Sequence, residues 1–356
     1  MHADSVFIKA ALELAEKGRF TCSPNPTVGC IIVRNGFVIG RGWHSQAGQA
    51  HAEVGAIADA GGDVNGATVY VTLEPCAFVG RTPACAQTLI DARVARVVIG
   101  ALDPHPQVAG AGVKMLEAAG IDVEVLALAE ARACIAGFAS RYQLGRPLVR
   151  LKTGTSLDGA VAMASGESQW ITSAPAREDV QYWRARSDAV LTGVGSVLAD
   201  NPRLTVRDPN YLPCRPPLRV VLDSNLRTSS EAHLVSDGGS TLLMHTVLDR
   251  AIHYPANVEC VAMAGARPQL REVLDELGRR EINEVLVEAG PGLIGGFLQE
   301  GLWDEWICYI APKVLGSATQ RVADFAIEKL AAAPTVRISD IQMIDSDLRL
   351  IIKPAR

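Results

Sequence analysis

The sequence predicts an α/β protein built from two consecutive domains, and three observations carry that expectation. Segments of helical spacing alternate with short apolar runs from residue 5 to residue 144. The alternation breaks at Gly145-Arg146-Pro147 and restarts at Leu148-Val149-Arg150-Leu151-Lys152. Such alternation is the pattern of layered α/β domains, and 356 residues suit two of them, each able to bury its own core. The expected boundaries are 1–146 and 147–356.

In the first domain, Val6, Phe7, Ala10, Ala11 and Leu14 recur at helical spacing up to a stop at Gly18. Asn35-Gly36 sits between Ile31-Ile32-Val33 and Phe37-Val38-Ile39, the signal of a tight hairpin. His44 then falls near the expected pocket mouth. His51 opens a helix over 52–60 that carries Glu53 in its first turn, and Thr68–Leu73 reads as a buried strand delivering Glu74-Pro75-Cys76 at its end. A helix from Pro83 carries Cys85. Strands over 94–102 and 121–126, a helix over 110–119 and one long helix over 127–144 complete the expectation.

In the second domain, Ser173-Ala174-Pro175 reads as a helix start, with Arg177 and Arg184 two turns apart on one face. A strand over 187–191 closes on Thr192–Ser196, and Val285-Leu286-Val287-Glu288 is a further strand. It is followed by Gly290-Pro291-Gly292-Leu293-Ile294-Gly295, a literal G-x-G-x-x-G that opens a helix to about Gln299. No acidic residue stands at a suitable strand end about twenty positions on. That argues against a Rossmann domain and leaves a phosphate cradle or a tightly packed glycine turn. Trp303 and Trp306 read as core or subunit interface, and 315–356 offers little beyond a strand near 348–352.

Composition narrows the chemistry. The chain is 48% hydrophobic and 21% charged, with a net charge of -5 and no Lys/Arg-rich run, which disfavours a nucleic-acid partner. Its start, Met1-His2-Ala3-Asp4-Ser5, lacks a secretory pattern, and no run is long enough to span a bilayer. Eight cysteines at 22, 30, 76, 85, 134, 214, 260 and 308 then read as reduced thiols in a cytoplasmic protein.

Two of those thiols stand out. His51-Ala52-Glu53, Pro75-Cys76 and Cys85 follow the order of a zinc deaminase site. One imidazole and two thiolates are three zinc ligands, and the fourth tetrahedral position is left for water. Glu53 is then the proton carrier. The spacing from Cys76 to Cys85 is longer than the usual Pro-Cys-x-x-Cys, and a structural zinc or a pair of buried thiols is the competing interpretation. Between them, Gly80-Arg81-Thr82 is a candidate anion contact.

These strings carry a resemblance. Pro24-Asn25-Pro26-x-Val28-Gly29, His51-Ala52-Glu53-Val54, Glu74-Pro75-Cys76 and Gly80-Arg81-Thr82-Pro83-x-Cys85 look like the cytidine-deaminase-like superfamily. The whole chain resembles the bifunctional riboflavin-biosynthesis deaminase–reductase family, in which the long Cys-to-Cys gap is normal. The second half matches through Lys152-x-Gly154-x-Ser156-Leu157-Asp158-Gly159, Ser165–Ser173, Val197–Arg207 and Val287–Pro291. This implies a dihydrofolate-reductase-like α/β domain that uses NADPH.

By the resemblance, Gly154, Trp170, Ser196, Asp200, Ser224 and Gly290, Pro291, Gly292, Leu293, Ile294, Gly295 and Gly296 would touch NADPH. Ser168, Arg184, Leu204, Arg207 and Glu288 would hold a pyrimidine nucleotide, and paired guanidinium groups suit its phosphate. Zinc would sit on His51, Cys76 and Cys85, with Glu53 catalytic. Lys152, Asp158 and Glu288 are the acid or base candidates of the reductase. The resemblance also implies a homo-oligomer, dimer or tetramer, acting on small molecules with no nucleic acid and no membrane. One departure is visible: the family often has a histidine two residues after the first cysteine, where this chain has Phe78. A nucleic-acid base deaminase with an accessory domain and a non-catalytic zinc scaffold remain as alternatives.

Overall fold

The computed structural model describes residues 2–78, 84–106, 108–247, 253–317 and 319–355. Its contacts divide the chain into two compact units, 1–145 and 146–356.

In the first unit the elements are α1 (His2–Ala15), β1 (Gly29–Arg34), β2 (Phe37–Trp43), α2 (Ala52–Asp59), β3 (Thr68–Val71), α3 (Cys85–Asp91), β4 (Arg96–Ile99), α4 (Ala111–Ala118), β5 (Asp122–Val125), α5 (Ala129–Cys134) and α6 (Ala136–Leu144). The strands line up as β2-β1-β3-β4-β5 among the described residues. The first pairings are antiparallel and β3-β4-β5 is parallel. Apolar side chains alternate to both faces: Val69, Val71, Val97 and Ile99 meet α2, α3 and α4 on one side. Ile31, Val33, Tyr70 and Val98 meet Ile8, Ala11 and Leu14 of α1 on the other. The expected hairpin forms, its turn at Asn35 and Gly36 taking φ of 53° and 80°. The single long helix expected over 127–144 does not form: it breaks at Ile135, whose φ of -110° lies outside the helical range, into α5 and α6.

Helix α2 lies directly on β2, because Gly40 and Gly42 present no side chain there. A Cβ at Gly42 would collide with Ala52 O and Ala56 N, and one at Gly40 with Ala56 O. This close approach sets the position of the helix start, hence of His51 and Glu53.

The second unit contains β6 (Leu148–Ser156), β7 (Ala160–Met163), α7 (Ala174–Arg186), β8 (Ala189–Gly193), α8 (Val194–Asp200), β9 (Leu218–Leu222), α9 (His233–Ser236), β10 (Thr241–His245), β11 (Val258–Ala262), α10 (Leu270–Arg279), β12 (Glu284–Glu288), α11 (Pro291–Glu300), β13 (Glu305–Ala311), β14 (Thr319–Arg321), β15 (Val336–Ile344) and β16 (Asp347–Pro354). Its main sheet runs β11-β10-β9-β8-β12-β6-β13-β16-β15 among the described residues. It is parallel through β13, with β16 and β15 antiparallel at the edge. Helices α10 and α11 cover one face and α7 the other. The predicted cap is present, with Ser173 Oγ accepting from Ala176 N at 3.3 Å. Thr192–Ser196 is not a closing loop; α8 already begins at Val194. Trp303 is buried in the core, as expected.

Alanine should behave differently on the two sides of this contact, at Gly42 of β2 and at Gly55 of α2. Gly42→Ala forces the helix off the strand and should destabilise the protein by about 2–3 kcal/mol in denaturant unfolding. Gly55→Ala, whose added Cβ would meet Gly42 Cα at an ordinary 3.7 Å, should be neutral or slightly stabilising. Equal behaviour of the two variants would contradict the close-approach account.

Candidate active sites

His51 is the residue preceding α2, with an extended backbone (φ -71°, ψ 164°) and no side-chain hydrogen bond to the helix start. Cys76 follows β3, and Cys85 opens α3. The three come together: His51 Nδ1 lies 3.1 Å from Cys85 Sγ and 3.7 Å from Cys76 Sγ. All three potential ligand atoms lie within 4.8 Å of one another. Zinc–sulfur and zinc–nitrogen lengths of about 2.3 and 2.0 Å imply a tetrahedral edge of about 3.5 Å, so the donor set and its spacing fit zinc. As protein groups alone, Cys76 is the acidic thiol, pushed down to about 4 by hydrogen bonding from the Cys85 thiol and from His51. The Cys85 backbone N–H also donates to Cys76 Sγ at 3.2 Å. Hydrogen bonding to Cys76 and burial push the Cys85 thiol up.

Glu53 follows in the first turn of α2 and is only 4% exposed. Burial raises its pKa above the usual carboxylate range. A buried carboxyl with a raised pKa is suited to taking up and releasing a proton. His44 is 2% exposed. It is buried beside His51, ring centroids 5.3 Å apart, with Nδ1 3.1 Å from Ala50 O and Nε2 3.0 Å from Asn25 Nδ2. Those neighbours fix the tautomer: Nδ1 donates to the carbonyl and Nε2 accepts from the amide. Gly80-Arg81-Thr82 lies outside the described residues.

Glu74 has a role that the sequence did not reveal. Its buried carboxylate accepts from four backbone N–H groups: Asp103 (3.2 Å) and Gly110 (2.9 Å) on one oxygen, Gly112 (2.9 Å) and Val113 (3.2 Å) on the other. These donors lie 29 to 39 residues away, too far for local spacing to show. The clamp ties the segment after β4 and the start of α4 to the strand end bearing Pro75-Cys76.

The second unit gathers a different cluster where the carboxyl end of β12 meets the middle of β6. Arg184 of α7 grips Glu288 with Nε at 2.6 Å and a second nitrogen at 3.0 Å, and donates to Thr205 O at 3.2 Å. Lys152 Nζ is 3.8 Å from the same carboxylate. Burial alone would raise Glu288's pKa, but Arg184 and Lys152 outweigh it and hold it below the usual range. Burial lowers that of Lys152, with Glu288 opposing. Arg184 is ion-paired with Glu288, while Arg207 is exposed, its charge also lowering the pKa of Glu288 and its backbone N–H held by Gln181 at 2.8 Å. Leu204 is buried in the core against Trp183, which leaves its backbone as the part able to meet a ligand. Ser168 is partly exposed.

Asp158 is an unsuitable acid or base. Its carboxylate accepts from Ser156 Oγ and from the Leu315 and Gly316 N–H groups, which hold its pKa down to about 2.

The G-x-G-x-x-G string forms the first turns of α11. Gly290 faces Ser196 of α8, an added Cβ lying 4.0 Å from its Oγ, and Gly292 opens to free space. A glycine-lined helix start at the carboxyl edge of a parallel sheet is suited to a phosphate, so this part fits a dinucleotide. Further along, Ile294 is fully buried, and Cβ atoms at Gly295 and Gly296 would meet Asp324 backbone and Leu270. Pro291 and Leu293 are partly exposed beside Gly292. Gly154 packs under Thr172, Trp170 is 60% exposed with Arg177 over its ring at 4.3 Å, Asp200 is exposed at the end of α8, and Ser224 is partly exposed after β9.

Comparison with known proteins agrees with this division. The family description "Cytidine and deoxycytidylate deaminase zinc-binding region" matches residues 1–101, and "RibD C-terminal domain" matches 147–350. The chain is 46% identical over 361 residues to the riboflavin biosynthesis protein RibD of Escherichia coli (strain K12), covering 98% of each chain. It belongs to the RibD family. The RibD protein of Haemophilus influenzae is 44% identical, with 99% and 97% covered. Among solved structures, Acinetobacter baumannii RibD (form 2) superposes with a TM-score of 0.91 at 40% identity, covering 99% of each chain. A Thermotoga maritima protein described as a diaminohydroxyphosphoribosylaminopyrimidine deaminase/5-amino-6-(5-phosphoribosylamino)uracil reductase gives 0.91 at 32%, also covering 99% of each.

Metal analysis checks the site directly. Cys76→Ala and Cys85→Ala should each reduce bound zinc from one per chain towards none, whereas His44→Ala, which removes a neighbour and no ligand, should retain it. Full zinc in either cysteine variant would exclude the triad.

Proposed function

We propose that this RibD-family chain catalyses two consecutive steps of riboflavin biosynthesis. The first unit hydrolytically deaminates a diamino-ribosylamino-pyrimidinone 5'-phosphate, and the second reduces the ribose of the deaminated product to a ribityl chain. The cofactors are zinc and NADPH. The observation that carries the reading is the convergence of His51, Cys76 and Cys85 beside the buried Glu53.

His51, Cys76 and Cys85 would hold the metal. Zinc there supplies the Lewis acidity that makes water a nucleophile near neutral pH. Glu53 takes a proton from the attacking water and passes it to the departing amino group, which leaves as ammonia. The Glu74 clamp and the α2–β2 contact keep the ligand-bearing segments in place and so set the distance between carboxyl and reacting carbon.

In the second unit, Gly290 to Leu293, Ser196, Asp200, Trp170 and Ser224 would hold the dinucleotide, which supplies hydride. Arg207 is positioned for the substrate phosphate, with Ser168 and the backbone at Leu204 nearby in this reading. Lys152 Nζ, held against Glu288, is the group best suited to give a proton to the ribose oxygen as the sugar opens, and Arg184 keeps Glu288 ionised for that purpose.

The second copy implied by a homo-oligomer has a suitable surface. Val336, Ile338, Ile341 and Met343 of edge strand β15 are 45–63% exposed, and the irregularity between Ile338 and Asp340 keeps all four on one side, opposite Pro354, Ile352, Leu350 and Leu348. An apolar edge of this kind is a pairing surface unless covered. No helix among the described residues is long and apolar enough to cross a membrane. The net charge of -5 supports a partner-free role towards nucleic acid, and a cytoplasmic location suits the reduced thiols.

Glu53→Gln should keep its zinc and lose deamination by about 100-fold or more, while NADPH oxidation driven by added deaminated product continues. If that oxidation also fails, the assignment of the two activities to separate units is wrong. The wild-type chain should run as a dimer or tetramer in light scattering, and Ile341→Asp with Met343→Asp should shift it towards monomer. A monomeric wild type would exclude the surface.

A further inference from the structure

After α8 the chain runs from 201 to 208 without regular structure, so its backbone groups need partners from elsewhere. Side chains supply them. Asn201, left-handed at φ 42°, closes α8. His233 Nδ1 donates to its carbonyl at 2.9 Å, and Asn201 Oδ1 accepts from the His233 N–H at 2.9 Å. Further along, two side chains of α7 hold the segment. Arg184 donates to Thr205 O at 3.2 Å, and the Arg207 N–H donates to Gln181 Oε1 at 2.8 Å. Between these holds stands Leu204 at φ 52°, a left-handed conformation that a β-carbon disfavours and that persists where the surroundings impose it. Its side chain is buried in one cluster with Val180 and Trp183 of α7.

Gln181 is the unexpected member. It is a polar amide on the buried side of α7, only 7% exposed, and burying an amide is costly unless it is hydrogen-bonded. Its oxygen meets the backbone of Arg207, 26 residues away in the chain. That bond fixes where the Arg207 backbone stands and leaves the side chain exposed. The guanidinium charge is felt at the reductase cluster: burial would raise the Glu288 pKa, but Arg184, Lys152 and, least, Arg207 lower it.

We infer that Gln181 is a positioning residue of the reductase, its amide oxygen holding the Arg207 backbone so that the guanidinium meets the 5'-phosphate of the substrate. The inference rests on the reading of Arg207 as the phosphate contact. Gln181 touches neither substrate nor cofactor, and its effect passes through Arg207.

The test follows NADPH oxidation by the full-length chain with two substrates, the deaminated product and the same compound with its 5'-phosphate removed. Thermal unfolding is recorded for each variant. Arg207→Ala should raise KM for the phosphorylated substrate by about tenfold or more, the scale of a lost hydrogen bond to a charged group. Gln181→Met, which keeps the side-chain length and removes the acceptor, should raise that KM by about fivefold with kcat close to wild type. It should leave kcat/KM for the dephosphorylated compound unchanged, and should add nothing to Arg207→Ala. Gln181→Glu, which keeps an accepting oxygen at the same reach, should recover most of the loss; a Glu variant no better than Met would assign the residue to packing and overturn the inference. Unchanged KM in Gln181→Met, or an equal loss with both substrates, overturns it while Arg207 keeps its role. Wild-type KM in Arg207→Ala overturns the reading of Arg207 itself, and this inference with it.

Discussion

The first unit is organised by the demand that one imidazole and two thiols from three separate segments occupy the corners of a single small tetrahedron. None of the three segments could meet this demand alone. Each side chain sits at an element boundary: His51 where α2 begins, Cys76 beyond the end of β3, Cys85 at the start of α3. The boundaries in turn are placed by contacts that tolerate little substitution. Bare glycines on β2 let α2 approach to backbone distance, and the four-fold grip of Glu74 on distant N–H groups locks the strand end. The cluster concentrates an acidic thiol, an imidazole and a buried carboxyl in a few ångströms. That arrangement is costly without a cation and stable with one.

The second unit uses the same edge of a parallel sheet for a different purpose. Its charges come from the protein, arranged as a compensated set: Glu288 between Arg184 and Lys152. Arg184 neutralises a buried carboxylate and, with burial, opposes the charge on Lys152, which Glu288 favours. The glycine-lined start of α11 follows β12 itself, its cap Gly290 standing two residues beyond Glu288.

Much of this was legible in the chain. The hairpin at Asn35-Gly36, the Ser173 cap and the strand–helix alternation are local signals, and all appear where local rules put them. The zinc triad was legible because a metal imposes residue types and order even when spacing varies. What escaped is non-local. Glu74 read as part of a motif, but its partners lie in a segment that only the folded sheet brings near. Arg184 and Arg207 looked equivalent by charge; burial next to Glu288 separates them. The break at Ile135 and the burial of Ile294 and Gly295 depend on tertiary packing that composition does not encode. The exposed apolar stripe of β15 also went unnoticed, because a bulge restores a phase that simple alternation loses.

X-ray absorption at the zinc edge of the loaded, full-length protein tests the central claim most directly. The account predicts a mixed first shell of two sulfurs at about 2.3 Å and two light atoms, one of them an imidazole nitrogen, at about 2.0 Å. A shell of four sulfurs, of light atoms alone, or one unchanged when Cys76 and Cys85 are both replaced, would contradict it.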